Sequence, residues 1–264
     1  MLIPRATALV AFLLFLSGCQ STPAKDATAQ RRSLPLIHEG KVHPDWVHTG
    51  FGAMSVDDGA LRTDCDPRGL GLLVYRKEKL GDCQVRIVFK SKDARSNAGV
   101  YVRIADGMLE HVKDEVPAAT RTADGSLTPE GEKAMREASE KALGPWYAVH
   151  HGYEVQIADA GDEWHRTGAI YSLAKASELP PRPADGWRTM LITLQGERVL
   201  VDVDGKRVTE FDAVAKDLPE RKAWHEPRRE PKRPTAGYIG LQNHDPGDVV
   251  WFKEVSVKPL QRAS

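Results

Sequence analysis

The chain has 264 residues, and its 37 Lys and Arg are balanced by 37 Asp and Glu, for a formal net charge of zero. Without a global field to recruit polyanions, a nucleic-acid partner is not expected, and phosphate binding has little support. The length suffices for one large β domain or two small ones.

In chain order, Arg5 precedes an apolar run from Ala8 to Leu16, too short to cross a bilayer as a helix and laid out like a bacterial export signal. Leu16-Ser17-Gly18-Cys19 is similar to a lipobox, which predicts a signal peptide over residues 1–18 and lipidation of Cys19. Gln20, where an aspartate would hold a lipoprotein back, resembles lipoproteins sent on to the outer membrane. The expected location is therefore the bacterial cell envelope, lipid-anchored and facing the periplasm. Residues 19–33, rich in Ala, Thr, Gln and Arg, read as a flexible tether, leaving 34–264 as the folded domain. Cys65 and Cys83 are the remaining cysteines. In an oxidising compartment they form either a disulfide or two buried free thiols, and the sequence leaves both open.

The domain reads as all-β. Cys83 to Lys90 and Gly99 to Ile104 alternate apolar and polar residues, as do Met190 to Leu194 and Arg198 to Val203 around the turn-prone Gln195-Gly196-Glu197. Asp204-Gly205 closes a tight hairpin, and Gly237 to Leu241 and Val249 to Val257 add two strands. These runs predict a sandwich of two antiparallel sheets. Two segments break the rhythm. About 105–150 contains a helix-compatible run with Thr128 as N-cap and Pro129 at the first helical position, read as one inserted helix. About 211–235 carries Pro219, Pro227, Pro231 and Pro234 among Arg and Lys, and reads as an irregular basic loop.

Gly152-Tyr153-Glu154-Val155-Gln156-Ile157 alternates strictly, so Glu154 and Gln156 share one sheet face. Either that face meets water or it floors a polar site. Asn97-Ala98-Gly99-Val100-Tyr101-Val102-Arg103, this Gly152 to Ile157 stretch, His165-Arg166-Thr167-Gly168-Ala169-Ile170-Tyr171 and Gly240-Leu241-Gln242-Asn243-His244 follow in that order, with Trp187 before a Met190-Leu191-Ile192 strand. Together they resemble a family of bacterial secreted proteins, the 3-keto-disaccharide hydrolases, also described as 3-keto-glucoside 1,2-lyases and 3-keto-2-hydroxy-glucal hydratases. The resemblance runs from about Trp46 to Leu260 and implies a concanavalin A-like jelly roll. Two departures are visible: Ile37-His38-Glu39-Gly40-Lys41 stands where the family has a Phe-Asp-Gly-Lys-like segment, and the stretch between Ile104 and Gly152 is longer than usual.

A sugar oxidised at C3 has an acidic proton at C2, whose removal lets the C1 substituent leave; water addition completes net cleavage. That chemistry needs a base, an enolate stabiliser and an acid for the leaving oxygen. Glu154 is the first candidate for base or metal ligand, and His165 the second catalytic candidate. Arg103, Gln156, Gln242 and His244 are candidate binders of substrate oxygens, and Tyr101 and Tyr171 of the sugar ring. A divalent metal on Glu154, Asp159, His165 and His244 is an open expectation without a strong spacing motif. His150-His151, placed on a strand where neighbours point apart, makes a weak chelate. The expected ligand is an oxidised sugar or glycoside, with a non-catalytic, lectin-like lipoprotein as the alternative.

Overall fold

The computed structural model describes residues 30–214 and 218–260. The predicted signal peptide, Cys19 and most of the tether therefore lie outside the described residues. In chain order the elements are β1 (Arg32–Ser33), β2 (Ile37–His38), β3 (Lys41–Val42), β4 (Trp46–Gly50), β5 (Ala53–Asp57), β6 (Ala60–Asp64), β7 (Gly71–Leu80), β8 (Cys83–Ser91) and β9 (Ala98–Ile104). Three helices follow, α1 (Met108–His111), α2 (Pro129–Glu140) and α3 (Pro145–His151). The chain then returns to strands with β10 (Tyr153–Ile157), β11 (Arg188–Gln195), β12 (Arg198–Val203), β13 (Lys206–Asp212), β14 (Gly237–Asn243) and β15 (Val250–Pro259).

Two antiparallel sheets form a jelly-roll sandwich of the concanavalin A-like type. The larger has the order β13-β12-β11-β8-β15-β6-β5, with β1 added on β15; the smaller has the order β10-β9-β14-β7-β4. Alternation decides which side chains enter the space between them. Val85, Ile87 and Phe89 from β8 meet Val100 and Val102 from β9, Val155 and Ile157 from β10, and Leu241 from β14, all essentially without solvent exposure. The hairpin between β12 and β13 turns at Asp204 (φ 49°) and Gly205 (φ 81°), the two left-handed residues a tight primed turn requires.

The smaller sheet is buried on its other face too. Leu72, Val74, Tyr101 and Ile104 point away from the sandwich core and pack under Met108, Ala138, Trp146, Ala148 and Val149 of the helical segment. This second apolar cluster is why the segment between β9 and β10 stays in place. The segment holds three helices where one is predicted: α1 precedes the predicted run, and after α2 Gly144 and Pro145 start α3. The predicted start of α2 is present: the Thr128 hydroxyl accepts a hydrogen bond from the Gly131 amide at 3.0 Å, with Pro129 in the first turn. His150 and His151 belong to α3 rather than to a strand.

Cys65 and Cys83 are both free thiols, so the disulfide alternative is overturned. Cys83 faces Pro259 at the end of β15, while the Cys65 thiol donates to the Asp248 carbonyl (3.0 Å) just before that strand begins. A ten-residue strand spans ~30 Å, far beyond the ~6 Å between Cα atoms that a disulfide bridges. Burial pushes the Cys83 thiol up to about 11, further from the reactive thiolate. A soluble form beginning at residue 30 is expected to show the same melting temperature with and without reductant, and to release two thiols to an aromatic disulfide reagent on unfolding. A drop on reduction overturns the unpaired assignment.

Candidate active site

Between the outer face of the smaller sheet and the helical segment lies a cavity of about 310 Å³. Its floor is polar, from Tyr101 on β9, Glu154 and Gln156 on β10, and Gln242 on β14. Its far wall is apolar, with Leu127, Met135, Trp146 and Val149 from the helical segment and Trp224 from the Pro-rich loop. The strand register explains the floor. Glu154 pairs with Tyr101 and Gln156 with Gly99, so the side chains follow one another on one face. The segment after β10 continues this order: the Gly168 amide donates to the Gln156 carbonyl (2.9 Å) and the Tyr171 amide to the Glu154 carbonyl (3.0 Å), which sets Tyr171 at the cavity edge.

The Glu154 side chain lies across Gly99. A Cβ there would meet Glu154 Oε1 at 2.3 Å, so the glycine makes room for the carboxylate. Tyr101 Oη donates to Glu154 Oε2 at 2.7 Å, and Gln242 Nε2 donates to Tyr101 Oη at 3.2 Å. Burial raises the Glu154 carboxyl to about 7, although the Tyr101 hydrogen bond, the His244 charge and Gln242 all pull it down. Desolvation wins because no cation sits in direct contact. Burial also keeps Tyr101 and Tyr171 firmly protonated as phenols. At the end of β14, His244 Nδ1 donates to Asp248 (3.2 Å), which leaves Nε2 for a ligand. Burial on its own would lower the His244 pKa, but the Asp248 hydrogen bond and the charges of Asp245, Asp248 and Glu154 raise it.

Two buried acceptors in this floor have no partner. Gln156 donates through Nε2 to Asn97 (2.6 Å) and Gln242 to Tyr101, yet both Oε1 atoms are unsatisfied. An orphaned buried carbonyl costs about 1–3 kcal/mol, which a ligand hydroxyl would recover. A neighbouring carboxylate, two open amide oxygens and flanking phenols form a site for a polyhydroxylated ligand.

Six of the sequence candidates converge here: Glu154, Gln156, Tyr101, Tyr171, Gln242 and His244. Two do not. Arg103 takes a left-handed conformation (φ 53°) where the β9–β14 register shifts, so its guanidinium turns from the cavity to the Asp82 carboxylate (3.4 Å) and the Pro234 carbonyl (3.3 Å). It is neither a substrate ligand in the cavity nor a partner of Glu154. His165 has both ring nitrogens engaged, with Asp162 (2.8 Å) and Ser172 (3.2 Å), and packs against the Tyr171 ring at 5.1 Å. It supports Tyr171 rather than facing Glu154. The sequence reading missed His225, whose Nδ1 lies 3.1 Å from Tyr171 Oη, together with Trp224 and Trp146. The Trp-His pair inside a Pro-rich loop was the available signal, since a tryptophan seldom serves a purely solvated loop.

His150, weighed as a metal ligand, is a strut. Its Nε2 meets the Ser139 hydroxyl (3.0 Å), its Nδ1 accepts from the Arg228 amide (3.3 Å), and burial drives its pKa to about 3. Among the described residues no group of three or more His, Cys, Asp and Glu forms a metal-holding cluster. Asp159 is bound to Thr167, Arg182 and Arg188, and so does not join Glu154 and His244. The donors present among the described residues do not fit a divalent ion.

A concanavalin A-like sandwich with a polyol-adapted, carboxylate-bearing cavity belongs among carbohydrate-handling proteins. The chain is a member of the 3-keto-alpha-glucoside-1,2-lyase-like domain family, whose model matches residues 35–258. Among solved structures it is similar to a candidate glycosyl hydrolase from Parabacteroides distasonis ATCC 8503, with 21% identity and a TM-score of 0.54 over 88% of this chain and 100% of that one. A second candidate glycosyl hydrolase from the same organism is 16% identical, with a TM-score of 0.54 over 84% of this chain and 91% of that one. These likenesses establish the fold. Comparison with curated proteins gives no match.

Two outcomes follow from the geometry. Folding raises Glu154 from the ordinary 4.5 to about 7, so the stability this group contributes is complete below about pH 4.5 and is lost as pH rises through about 7. Glu154→Gln is therefore expected to unfold at higher temperature than the wild type at pH 8, by roughly 1–3 kcal/mol, with the gap closing towards pH 4 in a thermal-denaturation series. Gly99→Ala is expected to displace the carboxylate while leaving the β9–β10 register intact. The pH dependence of the melting temperature that Glu154 produces should therefore change in this variant, with little change in circular dichroism. An unchanged pH dependence in Gly99→Ala would show that the close approach to Glu154 is unimportant.

Proposed function

We propose that the protein cleaves 3-keto-glycosides, with Glu154 as the base that takes the C2 proton. The observation that carries this reading is the Glu154 carboxyl at about 7 on a floor with two unsatisfied amide acceptors. A base poised near neutrality is half ionised at working pH and still basic enough to accept a carbon-bound proton made acidic by a ketone. Sugar hydroxyls would satisfy Gln156 and Gln242 and hold C2 over the carboxylate.

In the first step Glu154 takes the C2 proton, the C2–H pair forms C2=C3, and the carbonyl π pair moves onto the C3 oxygen. His244, held at Nδ1 by Asp248 and biased towards its cationic form, donates from Nε2 to that oxyanion. The enolate then collapses: the C3 carbonyl reforms, C1=C2 forms, and the C1–O bond breaks. The Tyr171 hydroxyl, beside His225, donates its proton to the departing oxygen, which leaves as an alcohol, and takes one back from the water that later adds at C1. Water adding at C1, with return of the Glu154 proton to C2, gives the free 3-keto sugar. Elimination followed by hydration thus reuses one carboxyl group. The proposed setting is an envelope-anchored lipoprotein, supported by Leu16-Ser17-Gly18-Cys19.

Incubating purified protein with a 3-keto-glucoside of a chromogenic alcohol is expected to release the alcohol. The pH profile of kcat/KM should rise through about 7 as Glu154 ionises. Glu154→Gln should lower kcat by roughly 100- to 10,000-fold with the fold intact. Sugar binding without turnover at any pH would instead establish a lectin-like binder.

A further inference from the structure

The loop after β13 covers the cavity with Trp224 and His225, and one side chain fastens it to the helical segment. That side chain is His150 on α3, which is fully buried. The hydrogen bonds around its ring admit one tautomer. Ser139 Oγ donates to the Trp224 carbonyl (3.0 Å), so it accepts from His150 Nε2 (3.0 Å), and the lone pair left on Nδ1 accepts the Arg228 amide (3.3 Å). The loop is thus gripped on both sides of His225 by a neutral imidazole. We infer that His150 is a positioning residue that latches residues 218–234 over the Glu154 cavity while its ring is neutral, and that protonation of Nδ1 releases them. Access to the cavity, rather than the reaction in it, is what the latch controls.

Geometry and charge act in the same direction. A proton on Nδ1 points at the Arg228 N–H, so an accepted hydrogen bond becomes two opposed donors. The cation also stands among like charges, since Arg221 and Arg228 on the loop and His151 on the same helix all disfavour it. Acids on the neighbouring elements are engaged or turned outward. On α2, Glu132 pairs with Arg136, Glu137 pairs with Lys141, and Glu140 is exposed. On the loop, Glu226 pairs with Arg229, and Arg233 adds a further cation at the Gly152 carbonyl. From the sheet, Arg103 is turned to Asp82, and Glu154 lies on the cavity floor bonded to Tyr101. Burial and the surrounding cations hold the His150 pKa at about 3, against an ordinary 6.5. A histidine whose pKa is lowered by closure favours the closed loop fully above about pH 6.5, and the preference falls by up to tenfold per pH unit below it. At pH 4.5 the loop is therefore open about a hundredfold more often than at pH 7. The same fall in pH protonates Glu154, so an open cavity coincides with a neutral floor.

Backbone hydrogen exchange of the purified protein without ligand tests this, with rates corrected for their intrinsic pH dependence. Between pH 7 and pH 4.5, protection of residues 221–230 in the wild type is expected to fall about a hundredfold relative to the β11 amides of the sandwich. His150→Gln, whose amide can donate to Ser139 and accept from Arg228 but does not titrate, should show no such fall. Ser139→Ala, which removes the hydroxyl between ring and loop, should show lower protection already at pH 7. The ring nitrogen resonances of His150 should report a neutral Nε2–H tautomer down to about pH 5. Wild-type protection that is flat with pH, an equal fall in His150→Gln, or loss in step with the β11 amides would each overturn the latch. No sugar enters these measurements, so the proposed function stands or falls separately.

Discussion

The Glu154 carboxylate, buried with one phenolic hydrogen bond and no direct cation, is the constraint on which the site depends. A carboxyl group in such a place costs several kcal/mol in its charged form unless its surroundings compensate. The compensation is incomplete by design of the floor: Tyr101 donates, Gln242 secures Tyr101, and His244 contributes charge from the side. Each comes from a different strand or strand end, so β9, β10 and β14 must keep their register for the balance to hold. Gly99 is part of the same balance, because a side chain there would occupy the carboxylate's place.

Burial of that floor is supplied by segments outside the sandwich. The helical segment brings Trp146 and Val149 over the sheet, and the loop after β13 brings Trp224 and His225. These two pieces are clasped together. The Ser139 hydroxyl donates to the Trp224 carbonyl (3.0 Å) and meets His150, while the Arg228 amide donates to the other nitrogen of His150. Arg233 extends the clasp to the Gly152 carbonyl (3.1 Å), just ahead of the strand that carries Glu154. A neutral, buried His150 accepts and donates at once, which an alanine or a cationic lysine could not do. The proline-rich composition that suggested a solvated basic loop instead describes a strap whose arginines are spent on backbone carbonyls.

Legibility followed how many faces a strand buries. β8, β11 and β12 bury one face each and alternate, so their period is visible in the letters. β7 begins Gly71-Leu72-Leu73-Val74-Tyr75, buried on both faces, and ends in the exposed Arg76-Lys77-Glu78-Lys79; it has no period of two and escaped notice. The short strands β1 to β3 carry too few residues to show any pattern. Within the site, alternation placed Glu154 and Gln156 on one face, and both line the cavity. It failed at Arg103 because one left-handed residue shifts the phase, and no local letter announces it. His165 failed for a different reason: its loop turns the ring towards Asp162 and Ser172, a tertiary choice. The disulfide alternative rested on compartment alone, whereas strand topology sets the two cysteines at opposite ends of β15.

The charge arrangement also supports the proposed elimination over ordinary glycoside hydrolysis. Two-acid hydrolysis needs a second carboxyl group facing the scissile bond, about 5–9 Å from the first. Asp245 is the other acid lining the cavity, and its carboxylate is held by Arg121 at 2.5 Å. Asp248 is turned to the His244 ring and the Asn97 and Asp245 amides. Both acids therefore serve as anchors, and what the floor presents beside Glu154 is an amide, a phenol and an imidazole. Such a set is poor at stabilising an oxocarbenium ion, which wants negative charge close to C1. It suits a reaction that develops negative charge on a carbonyl oxygen, since every group around the base donates or can donate a hydrogen bond.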